Sequence, residues 1–184
     1  MAKTYPGTTV EVTRLSRGDS RVLFDGIFAT GGITLSQVSV MTGLEPYVIQ
    51  NWVKRGFLPP PRNKRYDMEQ TCRIILINML KEELQIDRIC ALIRLIVGNP
   101  ADRSDDLILE SELYHRYVDL LASGVMPSDT EAVTAAVTEA SAGLGETRAG
   151  AREQLMKILR VMLYAHAAAR LRENAENELS ALLG

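Results

Sequence analysis

Four polar side chains, Tyr47, Gln50, Asn51 and Lys54, recur at three-, one- and three-residue steps in the segment Glu45-Pro46-Tyr47-Val48-Ile49-Gln50-Asn51-Trp52-Val53-Lys54. On a helix they share one side, while Val48, Ile49, Trp52 and Val53 share the other. Gln and Asn side chains presented this way can make paired hydrogen bonds to an adenine edge, and a lysine beside them can meet a phosphate. Directly downstream, Lys54, Arg55, Arg62, Lys64 and Arg65 carry five positive charges with no acid between residues 54 and 66. A cationic loop next to such a helix suits a polyanionic backbone and makes affinity depend on salt. These eight residues form the candidate DNA-binding set. The plain alternative is a solvated helix face followed by a solvated loop.

Other chemistries lack their residues. Cys72 and Cys90 stand 18 positions apart, outside any Cys-x-x-Cys or Cys/His cluster, so no zinc site is expected. Their apolar neighbours mark them as buried, inert thiols. His115 and His166 have no partners at ligand spacing and read as structural. Glu110 and Glu112 near Tyr114 hint at a site only weakly. Nucleophile motifs and phosphate-cradling glycine loops are missing, so no catalysis, metal or cofactor is expected. Trp52, on the inward side of its helix, reads as a core anchor, and Arg73 and Lys81 as surface charges.

The elements that must position this set are helical. A short helix over residues 17–29 ends at Gly31-Gly32. Thr34 caps the next, with Gln37 as its capping-box partner and Ile33 stapled to Val38. Gly43 makes the turn, and Pro46 opens the second helix at the position where a missing N–H costs nothing. That helix runs to Arg55, with Gly56 after it. Three prolines, Pro59 to Pro61, exclude helix from the basic stretch. Asp67 and Gln70 cap a further helix whose stripe is Ile74, Ile75, Ile77, Leu80 and Leu84. Gln85–Val97 repeats the pattern before Gly98-Asn99-Pro100. Beyond lie a helix from about Leu109 to Ala122, one capped by Ser128 or Asp129 and running to about Ala142, and a long segment from Thr147 to Leu183.

Charge divides along the chain. Residues 33–97 carry nine Lys/Arg and six Asp/Glu, whereas residues 98–184 carry eight and fourteen, within an overall net charge of −2. The positive field therefore sits where the candidate helix is. The reading divides the chain into a flexible arm (1–16), a DNA-binding domain (17–98) and a helical dimerisation or effector region (99–184). Leu113, Tyr114, Tyr117, Met126, Met156, Met162 and Tyr164 are read first as core, with the lining of a small-molecule effector pocket as the alternative. The apolar spacing of the last segment suits packing on a second copy. No apolar run reaches the ~20 residues that span a bilayer, and the first residues do not resemble a signal peptide, so a cytoplasmic protein is expected.

The phrases ITLSQVSVMTGL, EPYVIQNWVKRG, FLPPPRNKRY, DMEQTCRIILINML and LQIDRICALIRLI, in that order, resemble the MerR superfamily. Within it, the stretch from about Phe24 to Gly98 is similar to a bacterial group catalogued only as a domain of unknown function. The resemblance implies an all-α chain with a winged helix-turn-helix, a C-terminal helical region and a homodimer joined by C-terminal helices. It also implies transcriptional regulation through double-stranded DNA with a palindromic operator. Gln50, Asn51 and Trp52 replace the Arg and two aromatics usual in that helix, and no cysteine lies beyond Cys90, so neither operator sequence nor metal sensing carries over. Two other functions fit parts of the chain: an excisionase-like architectural DNA-binding protein, and a helical protein-interaction module without DNA binding.

Overall fold

Capping residues set the frame as read from the sequence. The Thr34 side chain accepts from the Gln37 N–H while the Gln37 side chain accepts from the Thr34 N–H, closing a capping box. Asp67 and Gln70 repeat the arrangement. Pro46 occupies the first turn of its helix, and Gly43 takes the left-handed conformation (φ 69°) that the turn before it demands.

The computed structural model describes residues 3–97, 107–144 and 150–184. In chain order the elements are β1 (Lys3–Thr4), β2 (Glu11–Val12), α1 (Asp19–Phe28), β3 (Ile33–Thr34), α2 (Leu35–Thr42), α3 (Pro46–Lys54), β4 (Arg65–Tyr66), α4 (Met68–Leu80), α5 (Ile86–Val97), α6 (Glu110–Ala122), α7 (Thr130–Ala140) and α8 (Ala151–Leu183). The chain is mostly helical, with two small antiparallel ladders, β1–β2 and β3–β4. The expected stop at Gly98-Asn99-Pro100 lies outside the described residues, as does the expected start at Thr147.

Helix α4 is the centre. Its residues Cys72, Ile74, Ile75, Leu76 and Ile77 have no solvent exposure. They are enclosed on several sides rather than along one stripe, because α2, α5, α6 and α8 all pack on α4. One apolar cluster runs from Tyr5 through Trp52, Ile89 and Tyr114 to Ala165. The helices of the expected DNA-binding domain and those of the expected helical region share a single core.

Within the expected flexible arm, the described residues 3–16 are tied to the rest of the chain. Lys3 pairs with Val12 and Thr4 with Glu11. Beyond this ladder the hairpin is fastened to distant elements. Asn78 Nδ2 donates to the Gly7 carbonyl (3.0 Å), the Tyr114 hydroxyl to the Pro6 carbonyl (3.1 Å), and the Thr9 N–H to the Met41 carbonyl (2.8 Å). Gly7 has φ 71°, and a Cβ there would stand 2.6 Å from the Ile75 carbonyl oxygen, so the backbone reaches α4 only through glycine.

Arg73, expected at the surface, is 1% exposed. Its Nη1 meets Glu110 Oε1 at 3.0 Å and its Nε donates to the Phe57 carbonyl at 3.0 Å. Nearby, Glu69 accepts from both the N–H and the hydroxyl of Ser111, at 2.8 and 2.7 Å. Buried charge survives because each group meets a partner. Burial raises the Glu110 carboxyl above its usual value, and Arg73 opposes that shift. Arg73→Ala leaves Glu110 buried without its counter-charge and should cost ~3–5 kcal/mol in urea unfolding, whereas the paired replacement Arg73→Met with Glu110→Leu should lose much less. Equal losses in both variants would contradict this accounting.

His115 is 4% exposed, with its Nδ1 2.9 Å from the Ser20 hydroxyl and Phe24 edge-on to its ring. Desolvation lowers its pKa from 6.5 to about 4, with Arg21 adding to the shift. The folded state thus holds fewer protons than the unfolded chain between those values. The stability tied to this group is complete above pH 6.5 and is lost as pH falls toward 4, a total of ~3 kcal/mol. Thermal melts across that range should show the decline in the native chain and a smaller one in His115→Gln; parallel declines would exclude His115 as the source.

Candidate nucleic-acid interface

Helix α3 is held from beneath by Ile49 (0% exposed) and Trp52 (3%), which lie in the main core. Phe57 and Leu58 follow, also buried, so the chain leaves α3 packed into the core rather than as a free loop. The Phe57 N–H donates to the Trp52 carbonyl at 2.9 Å, and Gly56 takes φ 77° at the helix end. With that face committed, Tyr47, Gln50, Asn51 and Lys54 are all exposed, Tyr47 at 69%. An exposed tyrosine flanked by two amides and an amine is a hydrogen-bonding surface with one large flat contact.

The basic stretch is a hairpin. Arg62 and Arg65 exchange backbone hydrogen bonds of 3.0 and 2.9 Å across Asn63 and Lys64. Both central residues have positive φ, 50° and 61°, which is the signature of a type I′ turn. The returning strand β4 pairs with β3, Tyr66 opposite Ile33 and Arg65 opposite Thr34. Gly32 allows this approach, since a Cβ there would lie 2.6 Å from the Tyr66 carbonyl oxygen. Asparagine tolerates the left-handed region; lysine does so at a cost. Lys64 is held at the tip with its ammonium outward and its backbone strained.

The root of the hairpin is fixed from α4. Gln70 Nε2 donates to the carbonyls of Pro59 and Pro60, at 3.3 and 2.9 Å, while Arg73 holds the Phe57 carbonyl. Prolines cannot donate, so their carbonyls are the available handles. The cations differ in commitment. Arg55 lies over the Phe57 ring at 4.6 Å, and Arg65 Nη1 donates to the Gly32 carbonyl at 2.7 Å. Lys54, Arg62 and Lys64 have no ion-pair partner among the described residues.

The eight candidate residues are thus all exposed, on two features carried by one α4 scaffold. The sequence reading missed that Gln70 and Arg73 position the hairpin root and that Glu69 ties the same helix to Ser111 of α6. Their signal was present: positions 69, 70 and 73 recur at helical spacing on one face of an otherwise apolar helix. It did not single out Ser36, whose hydroxyl lies 3.1 Å from that of the cap residue Thr34.

The described residues contain no group of three or more His, Cys, Asp or Glu able to hold a metal ion. Cys72 and Cys90 are buried, and desolvation raises both thiols, Cys72 strongly. No helix among them is long and apolar enough to cross a membrane.

Replacing Lys64 by glycine should relieve the left-handed strain and create the Asn-Gly pair that type I′ turns favour. Stability should rise by ~0.5–1 kcal/mol in chemical denaturation. A loss of stability in Lys64→Gly would show that the turn holds no strain at that residue.

Residues 33–117 match a family described as "Domain of unknown function (DUF1836)". The match starts at β3 rather than near Phe24 and extends into α6, so it takes in Glu110 and Ser111, the α6 partners of Arg73 and Glu69. Among curated proteins, "Uncharacterized protein YkrK" of Bacillus subtilis (strain 168) is 31% identical over 80 residues, covering 41% of this chain and 34% of that protein. The matched stretch thus spans about a third of the relative's length. No solved structure matches the chain. Over its candidate interface and the helices that hold it, the chain is similar to a domain of unknown function.

Proposed function

We propose that this protein is a sequence-specific DNA-binding transcriptional regulator of the MerR-like winged helix-turn-helix type. In this reading α2 and α3 are the helix-turn-helix, α3 reads bases and the hairpin at residues 62–65 is the wing. The observation that carries it is the exposed polar face of α3, anchored by Ile49 and Trp52, followed by a strained hairpin whose Arg62 and Lys64 have no ion-pair partner among the described residues. A solvated loop has no need to keep lysine at positive φ, and strain of this sort gathers where function maintains it.

Gln50 and Asn51 are the base readers, through bidentate contacts to adenine edges. Lys54, Arg62 and Lys64 meet phosphates, with Arg55 and Arg65 supporting them. The homodimer that a palindromic site requires forms through the end of α8. There Leu171, Leu179 and Leu182 are 69%, 56% and 83% exposed along one helical face. Beyond Arg172, which pairs with Glu82 and Glu83, α8 is exposed to its end, so a second copy is its expected cover.

Selection of bound duplexes from a random pool should yield a defined site, with affinity falling steeply as salt rises. Asn51→Ala should relax preference at one position, losing ~1–3 kcal/mol there. Lys64→Gly, which keeps the hairpin, should weaken all sequences alike and reduce the salt slope by about 1. Salt-independent affinity, or no duplex bound at low salt, would defeat the proposal. Bent DNA without transcriptional effect would favour an architectural role instead.

A further inference from the structure

On the side of the molecule built from α1, α6 and α7 lies a cleft of about 320 Å³. Arg17, Arg21, Arg116, Asp119 and Glu139 line it, and Glu112, which pairs with both Arg21 and Arg116, adds a third acid beside the three cations. Leu120, Ala136 and Ala140 form a small apolar wall. Its volume is at the lower end of what small-molecule sites use.

The charged groups are not equally committed. Asp119 accepts from the Gly18 N–H at 2.9 Å and from Arg21 Nη1 at 2.6 Å, pinning the start of α1 to α6. Arg116 Nη1 donates to the Ala140 and Ala142 carbonyls at 2.7 and 2.8 Å, holding the end of α7. Its buried Nε lies 2.6 Å from Glu112 Oε1 but makes no hydrogen bond there. Glu139 differs. Its single ion-pair partner among the described residues is Arg17, and both side chains are more than half exposed, 59% and 53%. An exposed pair of this sort contributes little and exchanges readily. Glu139 behaves as an internal anion resting in an arginine-lined cleft.

We propose that this cleft is a binding site for a small ligand bearing a carboxylate or phosphate group. The oxyanion takes the place of Glu139 on Arg17, flanked by Arg21 and Arg116, and a short apolar part lies on Leu120, Ala136 and Ala140. The planar guanidinium fork suits either oxyanion. Displacing Glu139 unties α7 from Arg17, in the segment that leads into α1. Helix α6, which carries Arg116 and Asp119, begins with Glu110 and Ser111, the partners of Arg73 and Glu69. Occupancy of the cleft therefore reaches the hairpin root through one helix, and this consequence rests on the DNA-binding reading. The binding itself does not.

Succinate and inorganic phosphate, titrated separately into the full chain without DNA against sodium chloride of matched ionic strength, test the site by calorimetry and amide chemical shifts. Saturable binding of at least one probe is expected, with shifts at Arg17, Leu120 and Ala136. Arg17→Ala should weaken it about fivefold or more, and Glu139→Gln should tighten it about threefold by removing the internal competitor. A merely structural ion pair would lower the melting temperature alike in both variants without moving the two affinities in opposite directions. No binding above the chloride control, or unchanged or weaker affinity in Glu139→Gln, would overturn the proposal. Because no DNA is present, failure of the DNA-binding reading leaves this result untouched.

Discussion

A guanidinium with almost no access to water joins three parts of this protein. Arg73 sits on α4, binds the carbonyl of Phe57 where the chain leaves α3, and pairs with Glu110 at the start of α6. Removing a charge from water is expensive unless every donor and acceptor near it is met. That requirement leaves little freedom in how α3, the hairpin and α6 are arranged. Gln70 and Glu69, one turn earlier, extend the same fastening to the proline carbonyls and to Ser111. The exposed helix face and the hairpin tip gain their rigidity from this interior polar joint.

Around the joint, α4 serves as a common partner for the hairpin at the N-terminus, α2, α5, α6 and α8. One helix enclosed by so many neighbours explains why the core is continuous from Tyr5 to Ala165. It also gives the proposed regulator a short physical route between its two ends. A change at α6 bears on Glu110 and Ser111, and through them on the residues that hold the hairpin root. The similarity to the domain of unknown function covers this joint, ending within α6 rather than at the end of α5. The part of the chain that resembles other proteins is therefore a mechanical unit.

The strained turn at Asn63-Lys64 belongs with the same picture. Two residues at positive φ are tolerable because the bonds between Arg62 and Arg65, the β3–β4 ladder and the α4 side chains together define the hairpin from outside. Such over-determination lets a fold keep a lysine where glycine would be more comfortable. The cleft between α1, α6 and α7 follows a contrasting rule. Asp119 and Arg116 there hold backbone groups of other elements, while the Arg17–Glu139 pair is exposed and weakly held. The two regions separate the rigid from the exchangeable within one small protein.

Local signals were enough to place the helices. Capping boxes at Thr34 and Asp67, Pro46 at a first turn and Gly43 in a tight turn are contacts within four residues, so neighbouring letters determine them. The outward face of α3 was legible for the same reason: Trp52 and Ile49 differ in polarity from Tyr47, Gln50 and Asn51. What the sequence could not decide involves partners far away along the chain. Arg73 looked like any helix-surface cation, because its acceptors are 16 and 37 residues distant. The N-terminal stretch looked loose, because the hydrogen bonds of Pro6, Gly7 and Thr9 go to Tyr114, Asn78 and Met41. The arginine cleft joins α1 to α6 and α7, some hundred residues on. Only packing brings such groups together, and whether a charge is buried or solvated is a property of that packing rather than of its neighbours in the chain.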